Sequence, residues 1–152
     1  MDSAQSAASF GNGIGSRRKT LLDRKIETVH PNMSVLAKLN LQDIDACRDV
    51  FADNFIWHYF NSRLPELEGD HIGIDGLKSF FAKLGEKSNS SFQQKLIDAR
   101  PVGDELVITQ VRNRMDLEGN TIEVDAVVVW RIVGRKIAEA WDIPAVNTVR
   151  TM

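Results

Sequence analysis

The chain has 152 residues, 43% of them hydrophobic and 26% charged, with a formal net charge of −2. That is enough for one domain with a sizeable core, and the interspersed, nearly balanced charge excludes the basic stripe of a nucleic-acid-binding surface. No apolar run is long enough to cross a bilayer, no signal-like apolar segment stands near the first residue, and the single cysteine, Cys47, has no partner for an internal disulfide; a cytoplasmic location is expected.

In chain order, residues 1–19 are rich in Ser, Ala and Gly and end in Arg17-Arg18-Lys19. Such a composition suits a flexible tail, dispensable for folding, with one domain over residues 20–152. A short helical segment is expected around residues 34–39. Leu41, Ile44, Cys47 and Phe51 recur at spacings of three and four, which predicts an amphipathic helix over residues 41–51 with Cys47 as a buried structural thiol. Residues 54–60 are aromatic and β-branched and read as a strand. A loop containing Pro65 and Gly69 follows. A second helix is predicted over residues 75–84, with Asp75 as its N-cap and Gly85 as its stop.

After that come only strands, over about residues 91–101, 104–116, 121–133 and 136–146. Turns are expected at Gly103-Asp104, Glu118-Gly119-Asn120 and Gly134-Arg135. Helices followed by an antiparallel meander define an α+β class.

The final strand pair holds the most informative residue. Val127-Val128-Val129-Trp130-Arg131-Ile132-Val133 and Lys136-Ile137-Ala138-Glu139-Ala140-Trp141-Asp142-Ile143 flank the Gly134-Arg135 turn. A carboxylate in so apolar a strand must be solvated, paired or functional, because an unpaired buried charge is costly. The facing of Asp142 depends on the turn. A two-residue turn puts it beside Val127, Val129 and Arg131, where Arg131 is an ion-pair partner. A three-residue turn flips the parity and puts it beside Ala126, Val128 and Trp130, in an apolar interior.

Three stretches carry a family resemblance. The first is Asn40-Leu41-Gln42-Asp43 with Phe51-Ala52-Asp53-Asn54-Phe55-Ile56-Trp57-His58. The second is Leu67-Glu68-Gly69-Asp70 with Gly73-Ile74-Asp75-Gly76-Leu77-Lys78-Ser79-Phe80-Phe81. The third runs from Trp130 to Asp142. In order and spacing they resemble the SnoaL-like branch of the nuclear-transport-factor-2-like, or ketosteroid-isomerase-like, superfamily. The resemblance implies helices packed in a strongly curved antiparallel sheet, a cone-shaped, cystatin-like roll with an apolar pocket at its open end. It implies proton-transfer chemistry of isomerase, cyclase or lyase type on a hydrophobic carbonyl compound, without metal or cofactor; the alternative is a non-catalytic ligand-binding or dimerisation module.

Residue by residue, Asp142 resembles the acid/base Asp of the family's cyclases. An apolar pocket raises a carboxyl pKa towards neutrality, where acid–base catalysis is most effective. His58 is the second catalytic candidate, since imidazole titrates near neutral pH; strand alternation leaves open whether His58 or the pair Trp57 and Tyr59 faces inward. Tyr59 stands where the isomerases have their base, Val128 where relatives have an Asp or His, and Val111 and Asn113 where the epoxide hydrolases have an Arg and an Asp. Trp57, Tyr59, Asn113, Val128, Trp130 and Ala140 are the ligand-binding candidates. His30 and His71 fall in expected loops. No spacing of His, Cys, Asp and Glu suggests a metal site, and no glycine-rich loop follows a strand to hold a nucleotide. An outer sheet face carrying Val127, Val129 and Ile143 points to a homodimer.

Overall fold

Two short helical segments, one long helix and seven strands make up residues 30–152, the part of the chain that the computed structural model describes; the tail expected over residues 1–19 lies outside it. Helix α1 spans Pro31–Ala37, with proline in its first turn, where the missing N–H is no loss. Asn32 of α1 donates to the Asp104 carbonyl at 3.0 Å, tying the helix to a distant turn.

The helix predicted over residues 41–51 is a 3-10 helix at Ile44–Val50 instead. Asp43 caps it by accepting from the Ala46 N–H at 3.2 Å. Ile44, Cys47 and Val50 are its buried residues, a spacing of three that matches the 3-10 repeat. Phe51 belongs to strand β1, Phe51–Tyr59. Cys47 is buried, and burial first of all pushes its thiol pKa up.

The segment read as a loop around Gly69 contains an edge strand, β2 (Gly69–Ile72), antiparallel to β1. Four residues are too few to show a period. Helix α2 spans Gly73–Lys87. It begins before Asp75, which lies in its first turn, and passes through Gly85, so neither residue plays its expected part. Gly76 is needed where α2 crosses β2: a Cβ there would lie 2.9 Å from the His71 carbonyl carbon. The helix ends at Ser88, whose hydroxyl donates to the Leu84 carbonyl at 2.8 Å.

Strands β3 (Gln93–Val102), β4 (Leu106–Leu117), β5 (Asn120–Val133) and β6 (Lys136–Pro144) form the expected meander, and a short β7 (Arg150–Thr151) follows. The sheet order is β2-β1-β6-β5-β4-β3, with β7 on the free part of β5. Every pairing is antiparallel except β1 with β6. The curved sheet wraps α2, whose Leu77, Phe80 and Leu84 are buried at helical spacing.

The β5–β6 hairpin settles the facing of Asp142. Val133 pairs with Lys136, so the turn has two residues, and Gly134 and Arg135 both have positive φ (59° and 66°), the backbone of a type I′ turn. Two rungs on, Ile132 pairs with Ile137 but Arg131 pairs with Glu139, leaving Ala138 as an extra residue. This β-bulge reverses the parity that the turn had set. Asp142 therefore lies opposite Val128 on the inner face. The turn length of one alternative is combined with the facing of the other.

Beyond Pro144 the chain bends back along β5. The Ala145 N–H reaches the Asp125 carbonyl at 2.8 Å, and Arg150 binds both Glu123 and Asp125. Arg150 first, then Arg112, holds the Asp125 carboxyl at a pKa of about 2. Among the described residues no helix is long and apolar enough to cross a membrane.

Candidate functional site

A cavity of about 400 Å³ lies between α2 and the inner face of the sheet. Its walls are mostly aromatic and aliphatic. Trp57 and Tyr59 from β1, Phe80 from α2, Val128 and Trp130 from β5 and Asn113 from β4 line it, and so does Asp142. The strand alternation that sequence left open puts Trp57 and Tyr59 inward.

Asp142 is 9% exposed. Among the described residues no side chain donates a hydrogen bond to its carboxylate or pairs with it. Arg131, one conceivable partner, lies on the outer face, bound to Glu105 at 3.0 Å and Glu139 at 3.6 Å. Burial alone pushes the Asp142 pKa up to about 7, because the charged form loses hydration and gains nothing in return.

In the ladder Asp142 is flanked by Val128 on β5 and Tyr59 on β1. The Tyr59 hydroxyl accepts from Asn61 Nδ2 at 2.9 Å. Its own proton stays free to donate to a ligand oxygen. Burial, and then the nearby Asp142 charge, push the Tyr59 pKa well above its ordinary value, so the phenol is neutral.

Some other polar groups along the walls are already engaged, whereas Trp57 Nε1 is buried with no hydrogen-bond partner among the described residues. Trp130 Nε1 donates to Thr109 Oγ1 at 2.9 Å, and that hydroxyl donates to the Val128 carbonyl at 3.2 Å. Asn113 Oδ1 accepts from Gln94 at 3.0 Å. Ala140 is fully buried and sits in register between Trp57 and Trp130. It does not line the cavity; its small side chain lets the two indoles approach to 5.7 Å.

His58 is not brought to this site. It lies on the outer face, with Nδ1 2.6 Å from Asp70 and Nε2 2.6 Å from Glu139, its ring stacked on Trp141 at 5.4 Å. Period-two alternation explains the correction: with Trp57 and Tyr59 inward, His58 must face out. Burial opposes its charged form, but the carboxylates of Glu139 and Asp70 outweigh burial and hold its pKa above the ordinary value. The group thus stabilises the fold while protonated, and that contribution fades as pH rises through the raised pKa. His58→Gln should cost about 1 kcal/mol in mildly acidic buffer, in the range of partly exposed ion pairs, and progressively less in alkaline buffer. Urea unfolding at the two pH values checks this; an equal cost at both would show that packing on Trp141, not charge, is what His58 supplies.

Sequence reasoning missed Asn61, Arg63 and Thr109, all on the cavity wall. Asn61 and Arg63 stand in a loop, where no periodicity applies, and Thr109 looks like any β-branched strand residue. His71, expected in a loop, lies in β2, its Nε2 2.7 Å from the Leu67 carbonyl. Among the described residues no group of three or more His, Cys, Asp or Glu side chains is placed to hold a metal ion.

A curved sheet closed around one helix is the architecture of the nuclear-transport-factor-2-like, cystatin-like folds. The chain belongs within that class to the SnoaL-like domain family, whose profile matches residues 34–140. No curated protein matches the sequence. Solved structures show the same fold at low identity. Bal32a, from a soil-derived mobile gene cassette, is 18% identical with a TM-score of 0.61, over 95% of this chain and 92% of that one. A putative SnoaL-like polyketide cyclase from Jannaschia sp. CCS1 is 15% identical with a TM-score of 0.63, over 86% and 92%. TerC, co-crystallised with polyporic acid, is 20% identical with a TM-score of 0.63, over 74% and 90%.

Proposed function

We propose that this domain is an acid–base enzyme of isomerase, cyclase or lyase type, acting on a hydrophobic carbonyl compound. The observation that carries the reading is Asp142, a carboxyl group with a pKa of about 7 in an aromatic cavity without a charge partner. At neutral pH such a group is divided between base and acid, the condition under which general catalysis is most effective. Burial of this kind lowers stability, and groups so placed concentrate at functional sites.

The chemistry follows from the neighbours. The Asp142 carboxylate takes a proton from the carbon next to the carbonyl. The C–H electron pair becomes the π bond of the enol, and the carbonyl oxygen takes up the developing charge. The neutral Tyr59 hydroxyl donates a hydrogen bond to that oxygen. Asp142 then returns its proton at a different carbon, or the enolate carbon bonds to a second carbonyl carbon, the π pair of that carbonyl moves to its oxygen, and the oxygen takes the proton from Asp142. Val128, directly opposite Asp142, can exchange no proton, so a single carboxyl both takes and gives the proton. The family match and the cyclase-like neighbour support a small-molecule site; that TerC was crystallised with polyporic acid supports an aromatic ligand in such a cavity.

The test is proton–deuterium exchange at the α-carbon of apolar cyclic ketones in D₂O, followed by NMR. Wild type should catalyse it and Asp142→Asn should not. Exchange that survives in the variant would end the case for Asp142 as the base.

The proposal includes a homodimer and a cytoplasmic location. Val127 and Ile143 pair across the outer face and are 37% and 47% exposed, and apolar patches of this kind favour contacts; a buried, unpaired Cys47 suits a reducing compartment. Sedimentation equilibrium should give twice the monomer mass, and Val127→Glu with Ile143→Glu should give monomer. A monomeric wild type at micromolar concentration would refute the dimer.

A further inference from the structure

The cavity has two cationic residues on its wall, Arg63 and Lys87. They differ in one respect. Lys87 is bound to the carboxylate of Glu66, whereas no carboxylate among the described residues pairs with Arg63, which is exposed. The chain around Arg63 is held in place all the same. Asn61 Oδ1 accepts from the Arg63 N–H at 3.0 Å, its Nδ2 donates to Tyr59, and the Leu64 N–H closes the turn on the Asn61 carbonyl at 3.1 Å. Asn61 thus links the backbone of Arg63 to the phenol that flanks Asp142.

Two acidic residues line the same cavity. Asp142 is buried and divided between its charged and neutral forms near pH 7. Glu118 stands on the β4–β5 turn, and the sheet order places β6 and β5 between that turn and β1, after which Arg63 follows. A guanidinium at the mouth of an apolar cavity presents forked N–H donors suited to an oxyanion, and low-dielectric walls focus its field.

We infer that the ligand of this cavity carries an oxyanionic group, carboxylate-like, on an apolar ring-containing body, and that Arg63 receives that group at the rim. The inference rests on the reading of the cavity as a small-molecule site. The ring body lies against Trp57, Phe80 and Trp130, and the anion fixes which of its carbons reaches Asp142. Arg63 is a positioning residue; it exchanges no proton.

Two fluorescent probes with one aromatic skeleton test it: 8-anilinonaphthalene-1-sulfonate, an anion, and N-phenyl-1-naphthylamine, which is neutral. Each is titrated into wild type, Arg63→Gln, Arg63→Lys and Leu96→Trp, the last filling the cavity from β3. Both probes should bind wild type. Arg63→Gln should weaken the sulfonate about three- to ten-fold, the range from an exposed ion pair to a charge-assisted hydrogen bond. It should leave the neutral probe unchanged, and Arg63→Lys should restore part of the loss. Equal effects on both probes, or none, would overturn the role of Arg63 while leaving the cavity reading intact. Binding of both probes to Leu96→Trp as tightly as to wild type would place them outside the cavity and overturn both.

Discussion

Asp142→Asn should make the protein more stable than wild type at about pH 8.5, not less. The sign follows from the raised pKa. Below the unfolded-state value of 3.8 the carboxyl is neutral in both states and contributes nothing. Between 3.8 and about 7 the unfolded chain releases its proton and the folded chain keeps it, so stability falls as pH rises. Above about 7 the penalty is complete. At about 1.4 kcal/mol per pH unit it amounts to something on the order of 4 kcal/mol. A buried amide without partners gives back about 1–3 kcal/mol, which leaves a net gain of about 1–3 kcal/mol for the variant. Urea unfolding from about pH 4 to 9 should therefore show a falling curve for wild type and a flatter one for the variant, which is the less stable at the acidic end and the more stable at the alkaline end, the two crossing in between. Destabilisation at alkaline pH would mean that the carboxylate is stabilised by its surroundings. The same substitution should lower turnover by about two to four orders of magnitude, the usual worth of a positioned acid–base group.

Phe80→Ala should be the most damaging single truncation in the domain. Phe80 is 1% exposed. Its ring lies 4.8 Å from Tyr59, 5.8 Å from Trp57, 4.9 Å from His71 and 5.0 Å from Phe81. It therefore holds α2 against β1 and braces the phenol beside Asp142. Loss of a buried Phe costs about 3–5 kcal/mol, part transfer and part cavity, and here the new void joins an existing one, so the surroundings have little to collapse onto. Guanidinium unfolding measures the cost. A cost below about 1 kcal/mol would mean that the aromatic cluster repacks freely. Phe80→Leu should keep much of the stability and still loosen the ligand site.

How much of this was legible in the sequence varies with the physics behind each element. The meander was readable because β-branched runs alternate for ten residues or more and glycines mark the turns; β4 and β5 came out within a few residues of the expected bounds. α2 was readable from Leu77, Phe80 and Leu84, but its ends were not: Asp75 and Gly85 have the composition of a cap and a stop, yet the helix starts two residues before the one and runs two residues past the other. The 3-10 segment was misread because spacings of three and four coexist in residues 41–51 and nothing local chooses between the two helical periods. Asp142 was singled out because a carboxylate interrupts an apolar strand. Its facing stayed ambiguous, since the bulge at Ala138 has no signature of its own. His58 and Trp57 were indistinguishable by residue type, and only the sheet's curvature around α2 decides which of them is inside.

The bulge also bears on how such a site is lost or moved over evolutionary time. In most pockets the cheapest route to inactivity is a substitution at the reactive residue. Here one codon gained or lost near Ala138 would leave every side chain intact and turn Asp142 to the outer face, exchanging it with Trp141 or Ile143. Insertions and deletions in this hairpin therefore act as a genetic toggle between an interior and an exterior carboxylate. Relatives at 15–20% identity should differ in activity according to the length of the segment between the turn and this Asp, more than according to the identities of the residues around it.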